Sequence, residues 1–183
     1  MFDHPVLRRY YQRYGPAPFL PHPVPQREPF RVLAESIVAQ QLSNRAAAAL
    51  TARLWSLVEP RPGALLKVAP ASLRQAGLSW AKALALLDLA AKAEEGLLEG
   101  LEDLEDGAVK ERLQRVRGVG PWTAEMFLMF GLGRPDVWPV GDLGLRRAAK
   151  ARFGVEAEAL PAFGEPFRPY RSHLAWYLWR TLD

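Results

Sequence analysis

The sequence predicts an all-α fold. From Phe30 onward, apolar residues recur at intervals of three and four, the spacing that keeps one face of a helix buried. Glycine, proline and serine residues interrupt this pattern where helices would start and stop, and it shows no alternation typical of β-strands. With 183 residues, the chain is expected to form one domain or two closely fused lobes, around a core that needs no covalent cross-links.

The first 29 residues differ in character from the rest. RRYYQRY, residues 8–14, mixes aromatic and basic side chains, as single-strand binders do, but an amphipathic helix is the favoured interpretation. Residues 15–29, GPAPFLPHPVPQREP, are rich in proline and predict an extended lead-in. We therefore place an N-terminal extension at residues 1–29 and the helical core at residues 30–183.

Serines predict where several helices begin, because a serine side chain accepts a hydrogen bond from the first turn of a helix. Ser43 predicts the N-cap of an alanine- and leucine-rich helix that ends near Val58, before the sequence EPRPG. Ser72 and Ser79 predict two further caps, with Gly77 separating their helices.

Residues 113–124, LQRVRGVGPWTA, contain the tightest break between helices. One helix is expected from about Ala108 to Val116, and another from Pro121 to about Phe130. Two glycines allow the chain to reverse within a few residues, and proline suits the first turn of the second helix. Such a turn exposes backbone N–H groups to a phosphate and carbonyls to a monovalent cation. From the turn alone, a phosphate-binding hairpin and an ordinary αα-corner are equally supported.

Asp142 lies 22 residues after Gly120, beyond one helix and the loop at residues 131–141. It is predicted to open the next helix, whose C-terminal cap is Gly154. A last helix is expected from about Tyr170 to Leu182.

Charge is distributed unevenly along the chain. Residues 88–111 hold nine acidic and two basic residues, so the other residues carry a balance of +11 although the net charge is only +4. An arginine-rich proteome explains this composition as well as a polyanion-binding face does.

Several classes of site and location are excluded or disfavoured by composition. The chain has no cysteine, which excludes disulfides, iron–sulfur clusters and cysteine-ligated zinc, and its three histidines are scattered singly. The first residues lack the apolar core of a signal peptide, and no apolar run approaches the ~20 residues of a membrane span. We expect a cytoplasmic protein with no membrane partner.

Two segments, LQRVRGVGPWTAEMF and DVWPVGDLGLRRA, resemble the helix-hairpin-helix (HhH-GPD) DNA glycosylase superfamily. IVAQQLSNRAA, AGLSWAKA and PYRSHLAWYLWR narrow the resemblance to the 3-methyladenine DNA glycosylase II branch, over about Phe30 to Arg180. The resemblance implies a two-lobed helical core with the active-site cleft between the lobes. Many members carry a β-rich N-terminal domain before this core, and we expect this chain to lack that domain.

The resemblance implies that Asp142 is the catalytic residue, facing the sugar of an extruded nucleotide. A carboxylate there stabilises an oxocarbenium-like transition state or activates the attacking water. A plain helix N-cap is the alternative, and one geometry can satisfy both roles. Trp122 stands where the lyase branches carry a nucleophilic lysine, and no lysine lies between Lys110 and Lys150. The chain is therefore expected to release bases without cutting the strand.

Aromatic side chains suit a cationic alkylated purine through stacking and cation–π attraction. The resemblance implies that Trp179 and Trp122 form two walls of the base pocket. Met126 would form its floor, although a core position is an equally good interpretation. Gln41, and after it Leu42, would be the wedge that fills the gap left by the extruded base.

The same resemblance implies backbone contacts to DNA and one ion site. The candidate DNA contacts are Gly118, Gly120, Thr123, Arg45, Arg146 and Arg171, although surface arginines are usually just solvated. The carbonyls of Gln114, Val116 and Val119 would coordinate a structural Na⁺ or K⁺ ion. No other cofactor is expected to be required.

These expectations describe a monomeric, monofunctional DNA glycosylase that binds double-stranded DNA and excises 3-methyladenine and 7-methylguanine. The cytoplasm or the nucleoid is its expected location. Two alternatives stay open from the sequence. One is a glycosylase for deaminated or etheno-adducted bases, and the other is a non-catalytic helix-hairpin-helix DNA-binding module.

Overall fold

The computed structural model describes residues 3–19 and 28–182, and within these residues it contains helices and no β-strand. The all-α prediction is therefore confirmed for the described chain. The α-helices are α1 (Pro5–Tyr14), α2 (Pro29–Ala39), α3 (Asn44–Leu57), α4 (Pro62–Leu65), α5 (Pro70–Gln75), α6 (Trp80–Glu94), α7 (Asp106–Leu113), α8 (Pro121–Phe130), α9 (Leu143–Phe153), α10 (Leu160–Gly164) and α11 (Arg171–Arg180). The part of the chain that the structure describes also contains three short 3₁₀-helices, at Leu101–Asp103, Ala157–Ala159 and Glu165–Phe167.

The chain divides into two compact units, and the second of the two boundaries along the chain falls within α8. The unit Arg27–Phe127 is centred on α6, which packs against α2, α4 and α5, while α3 packs against α2. Apolar residues at helical spacing supply its core, since Leu33, Ile37 and Leu86 are fully buried.

The other unit joins Met1–Gln26 to Leu128–Asp183 and is centred on α11, which packs against α1 and α9. Tyr177 of α11 is fully buried, stacks on Tyr10 of α1 at 5.9 Å between ring centroids, and donates its hydroxyl to the Gly15 carbonyl at 2.9 Å. The expected amphipathic helix in RRYYQRY is confirmed as α1. Most of the expected lead-in at residues 15–29 lies outside the described residues.

Helix caps follow the local sequence where serine is the cap. Ser43 accepts a hydrogen bond from Ala46 N–H at 3.3 Å, and Ser79 accepts one from Lys82 N–H at 3.2 Å, so both predicted caps are confirmed. The prediction for Ser72 is wrong. Ser72 lies inside α5, which begins two residues earlier at Pro70, because proline at the first helical position starts the helix there.

Helix ends differ from the prediction by a few residues. Helix α7 ends at Leu113 instead of Val116, because Arg115 N–H and Val116 N–H bond three residues back and tighten the chain into turns. Helix α11 is one residue shorter than expected at its start and two at its end. Gly154 caps α9 in the left-handed conformation as predicted, with φ +66°. None of the described helices combines the length and apolar content needed to cross a bilayer.

Candidate functional site

The hairpin between α7 and α8 has the tight turn that its glycines predict. Gly118 adopts φ +73°, a conformation that residues with a side chain rarely adopt. A Cβ atom at Gly118 would lie 3.4 Å from the Ala85 side chain, so helix α6 packs directly beneath the turn. Val119 is buried, and its N–H donates to the Val116 carbonyl at 3.1 Å. Pro121 then begins α8 as predicted.

Asp88 on α6 anchors the start of this turn. Its Oδ2 accepts the Arg117 backbone N–H at 2.7 Å, and its carboxylate pairs with Lys92 at 2.6 Å. Burial alone raises the pKa of Asp88, but the Arg117 N–H and the Lys92 ammonium outweigh it, so the pKa lies below its ordinary value. From the sequence, Asp88 is only one of the acidic residues in the segment 88–111. No local pattern distinguishes it from the exposed acidic residues that follow, so its role in anchoring the turn was missed.

The backbone groups predicted to bind an ion and a phosphate lie on the two sides of this turn. The Val116 carbonyl already accepts one hydrogen bond, from Val119, and a carbonyl oxygen has a second lone pair for a cation. Gln114 is exposed and Gly120 is half-buried. The cation carbonyls of Gln114, Val116 and Val119, and the phosphate-binding N–H groups of Gly118 and Gly120, stay predictions.

The predicted wedge lies on the turn between α2 and α3. Gln41 adopts φ +59° and is the only residue other than glycine with positive φ among the described residues. Such a conformation costs on the order of 1 kcal/mol for an ordinary side chain. Gln41 is exposed, and Leu42 is 39% exposed, which is high for a leucine. Both side chains are therefore accessible to a ligand, and their role as a wedge stays a prediction.

Gln40, the residue before the wedge, connects this turn to the hairpin. Its Nε2 donates to the Gly118 carbonyl at 2.9 Å and to the Thr123 hydroxyl at 2.8 Å. Thr123 is only 2% exposed, and its hydroxyl serves this internal bond. Its predicted contact with the DNA backbone stays a prediction. Sequence reasoning missed Gln40, because neighbouring glutamines in QQ carry no signal that separates an inward from an outward side chain.

Lys82 on α6 holds the end of α2. Its ammonium donates to the Val38 carbonyl at 2.8 Å and to the Gln40 carbonyl at 2.7 Å. These carbonyls end a helix, where acceptors lack intrahelical partners and a cation is favoured. Burial lowers the pKa of Lys82.

Asp142 is the N-cap of α9, and its carboxylate also accepts a second hydrogen bond from another helix. Its Oδ1 accepts the Leu145 N–H at 2.6 Å and the Trp179 indole N–H at 2.8 Å. Two bonds to one ionised oxygen hold the carboxylate in a single orientation. The N-cap geometry predicted from sequence is confirmed, and it does not exclude the catalytic role.

Gly144 allows this arrangement. A Cβ atom there would lie 3.1 Å from Asp142 Oδ1 and 3.2 Å from Trp179 Cδ1, so a side chain would push the two apart. Trp179 was predicted only as a pocket wall, and its bond to Asp142 was missed. Sequence reasoning did not single out Gly144, and a glycine two residues after the aspartate is the one local feature from which this close approach could be inferred.

The loop at residues 131–141, which leads to Asp142, is fixed by contacts within its own unit. Trp138 is buried, and its indole N–H donates to the Leu160 carbonyl at 2.9 Å. A Cβ atom at Gly164 would lie 2.5 Å from Trp138 Nε1, so only glycine fits beside this ring. The Ser172 hydroxyl donates to the Arg134 carbonyl at 2.7 Å. Asp142 therefore follows a rigid segment, as a preorganised site requires.

Arg171, predicted to contact the DNA backbone, is engaged inside the protein. Its side chain is 12% exposed and pairs with Asp136 at 2.8 Å and with Glu165 at 3.1 Å. A guanidinium held by two carboxylates has little capacity left for a phosphate, which argues against the prediction. Arg45 and Arg146 are exposed, and Arg146 Nε donates to the Val140 carbonyl at 2.7 Å. These two stay candidates for DNA contact.

The predicted pocket residues differ in exposure. Trp122 and Trp179 are half-buried, whereas Met126, one turn after Trp122 on α8, is only 7% exposed. Their role in base recognition stays a prediction. Leu143, directly after Asp142, is 72% exposed, and sequence reasoning did not single it out.

A surface hollow and possible metal-binding clusters were considered as alternative sites. An open hollow of about 410 Å³ lies on the Arg27–Phe127 unit, lined by Arg53, Ser56 and Gln75 among others, and no predicted site residue lines it. Within the described residues, no group of three or more histidine, aspartate or glutamate side chains has the arrangement to hold a metal ion.

Sequence comparisons relate the chain to DNA repair proteins. Residues 34–162 match the family described as HhH-GPD superfamily base excision DNA repair protein. DNA-3-methyladenine glycosylase 1 of Schizosaccharomyces pombe is 32% identical over 169 residues, which cover 85% of this chain and 73% of that protein. A Bacillus subtilis relative is 30% identical over 171 residues, and the chain spans 59% of its length.

Two solved structures share the fold over nearly the whole chain. Schizosaccharomyces pombe 3-methyladenine DNA glycosylase Mag1, solved in complex with abasic DNA, aligns with a TM-score of 0.85 at 30% identity, covering 95% of this chain and 89% of Mag1. A DNA-3-methyladenine glycosidase from Bacillus halodurans aligns with a TM-score of 0.77 at 37% identity, covering 97% of this chain and 84% of that one.

Proposed function

Because the chain belongs to the HhH-GPD superfamily of base excision DNA repair proteins, we propose that it is a monofunctional DNA glycosylase. Its substrates are alkylated purines in double-stranded DNA, with 3-methyladenine and 7-methylguanine the main ones. The names of the relatives support this substrate class, since the fission yeast and Bacillus halodurans proteins are both named for 3-methyladenine.

The observation that carries the proposal is the orientation of Asp142. Its carboxylate is held by the Leu145 N–H and the Trp179 indole N–H, so its charge has a fixed position before substrate arrives. A preorganised negative charge stabilises the positive charge that develops on the sugar as the N-glycosidic bond breaks. Water then attacks the sugar and leaves an abasic site.

Alkylated purines suit a site without a strong general acid. N3- and N7-alkylation makes the base cationic, and such a base departs without being protonated. The indole ring of Trp179, which lies beside Asp142 in the same unit, would hold it by stacking and cation–π attraction, worth about 0.5–2 kcal/mol for each contact. Selectivity would then follow the charge of the base more than its pattern of hydrogen-bonding groups.

DNA binding in this proposal rests on the hairpin and on basic side chains. The N–H groups at the start of α8 would bind a phosphate, and a monovalent cation on the Gln114, Val116 and Val119 carbonyls would bridge to it. Arg45 and Arg146 would contact other phosphates. The complex of Mag1 with abasic DNA supports this part of the proposal. The protein is proposed to act as a monomer.

Trp122 supports base release without strand cleavage. A lyase needs an amine to attack the sugar carbon and form a Schiff base. An indole at this position has no nucleophilic amine, and no lysine lies between Lys110 and Lys150. The expected product is therefore an intact strand with an abasic site.

A lesion panel tests the proposal. Duplexes that differ only in one base, 3-methyladenine, 7-methylguanine, ethenoadenine or hypoxanthine, are incubated with excess protein at one salt concentration, and released base is measured by chromatography. We expect release from the two alkylated purines well above the spontaneous rate, with strand breaks only after alkali treatment.

The other outcomes separate the alternatives. Release confined to ethenoadenine and hypoxanthine would replace the proposed substrate class with the deaminated and etheno bases. Binding to all four duplexes without any release would make the chain a non-catalytic DNA-binding module. Breaks before alkali treatment, in protein cleared of nucleases, would contradict the monofunctional assignment.

A further inference from the structure

We propose that Gln40 is a positioning residue that fixes the distance between the wedge turn, residues 40–43, and the phosphate-binding hairpin, residues 117–123. The inference rests on the proposed function, because it assumes that the wedge and the hairpin act on the same duplex. It gives a role in base extrusion to a residue that does not itself enter the DNA.

The side-chain amide of Gln40 spans the hairpin turn. Its Nε2 has two protons, and these go to the Gly118 carbonyl in the turn and to the Thr123 hydroxyl in the first turn of α8. One planar amide therefore connects the hairpin turn and the start of α8 to the end of α2. Because Thr123 is buried, solvent does not compete for its hydroxyl.

The main chain of Gln40 is held as well. Lys82 donates to the Val38 and Gln40 carbonyls, so α6 also holds the end of α2. The same helix anchors the hairpin through Asp88 and the Arg117 N–H. Helix α6 and Gln40 together tie the wedge turn and the hairpin into one rigid group within the Arg27–Phe127 unit.

The strained turn comes directly after this anchor. Gln41 adopts φ +59°, and such a conformation persists only where neighbouring contacts enforce it. Without the Gln40 amide bonds, the turn can relax and the wedge can withdraw while the hairpin still binds its phosphate. Extrusion costs a few kcal/mol, so a wedge that yields to the duplex stabilises the extruded state less.

The chemistry at this position requires an amide. Gln40→Glu preserves the shape of the side chain but replaces the donor with carboxylate oxygens that face the Gly118 carbonyl oxygen. Gln40→Leu removes the donor without adding charge. Thr123→Val removes the acceptor from the other end of one bond. The two Gln40 variants therefore remove both bonds, whereas Thr123→Val removes one of them.

The test compares one lesion in two contexts. A 7-methylguanine paired with cytosine must be extruded against base pairing, whereas the same lesion opposite an abasic site is extruded at lower cost. We expect Gln40→Glu and Gln40→Leu to slow single-turnover release from the paired duplex about tenfold or more. Release from the lesion opposite an abasic site should fall about twofold or less.

Fluorescence reports extrusion independently of chemistry. A 2-aminopurine placed beside the lesion brightens when its neighbour leaves the stack, and this increase should be smaller with the Gln40 variants at saturating protein. Gln75→Glu, an exposed glutamine on α5 in the same unit, is the matched control and should behave as the unaltered protein does. The double variant Gln40→Leu/Thr123→Val should release base from the paired duplex no more slowly than the slower of the two single variants, because both changes break the same connection.

Each outcome decides something specific. Equal slowing on both duplexes, or unchanged 2-aminopurine fluorescence, would show that Gln40 only supports the fold and would overturn the inference. Release at the unaltered rate would overturn it as well. If the unaltered protein releases no base at all, the proposed function fails before Gln40 is tested.

Discussion

At the residue scale, the sequence identifies a functional side chain where a local pattern marks it, and misses it where only tertiary contacts do. Asp142 was identifiable because it follows the hairpin at a recognisable spacing and opens a helix. Its bond to Trp179 was not, because the two residues lie 37 positions apart and no local pattern encodes their contact. Gln40 and Arg171 show the same limit, since only tertiary packing decides whether a polar side chain turns inward.

The Trp179 indole N–H provides a prediction at this scale. Trp179→Phe keeps an aromatic ring for the base but removes the donor that holds Asp142 Oδ1. A hydrogen bond to a charged group contributes about 1.5–3 kcal/mol, so we expect single-turnover release of 7-methylguanine to slow about 10- to 100-fold. Affinity for the duplex should change little, as measured by fluorescence anisotropy.

Trp176→Phe is the matched control for this change. Trp176 lies on the same helix, but its ring faces Arg180 and Tyr177 instead of Asp142. Release by Trp176→Phe should stay near the unaltered rate. Similar slowing in both variants would mean that the loss reflects the stability of α11 and not the orientation of the carboxylate.

At the scale of elements, helices and serine caps were largely predictable because their signals are local. Ser43, Ser79 and Gly154 each cap the helix that the sequence assigns to them. The errors arise where two local signals compete, as at Ser72, where Pro70 starts the helix first. The packing of α1 on α11 was not predictable, because it joins the two ends of the chain.

Tyr177 gives a pH prediction for this packing. Burial raises the pKa of Tyr177 to about 12, partly opposed by a backbone hydrogen bond with Ala17. Because the folded pKa is above the ordinary value of about 10, its contribution to stability is complete below pH 10 and is lost as the pH rises through 12. Tyr177→Phe loses the bond to Gly15 but cannot ionise.

We therefore expect the stability advantage of the unaltered protein over Tyr177→Phe to shrink between pH 10 and pH 12. Urea unfolding at pH 8, 10 and 11.5 measures this difference. The other tyrosines, including Tyr10 with its raised pKa, are present in both proteins, so their titration cancels in the comparison. A difference that stays constant with pH would contradict the assignment.

At the scale of the whole molecule, the two units carry different parts of the proposed machinery. The unit Arg27–Phe127 holds the hairpin and the wedge turn, and the other unit holds Asp142 and Trp179. The excess of +11 outside residues 88–111 fits a protein that binds a polyanion. Sequence alone established this imbalance but could not show that Asp88, within the acidic segment, anchors the hairpin.

Salt dependence tests the basic side chains. If Arg45 contacts a phosphate, Arg45→Gln should lower the slope of log K for duplex binding against log salt concentration by about 0.9. Arg53→Gln is the matched control, since Arg53 is exposed on the same helix but lies beside Gly77. Equal slopes for Arg45→Gln and the unaltered protein would remove Arg45 from the DNA interface.

Asp142→Asn tests the proposed glycosylase most directly. Asparagine still caps a helix, so α9 should keep its start, while the negative charge is lost. Single-turnover release of 7-methylguanine should fall by at least about 100-fold, with duplex affinity unchanged within about twofold. Asp103→Asn, an exposed residue of the acidic segment, is the control and should leave release unchanged. Release by Asp142→Asn at the unaltered rate would contradict the assignment of Asp142 as the catalytic residue.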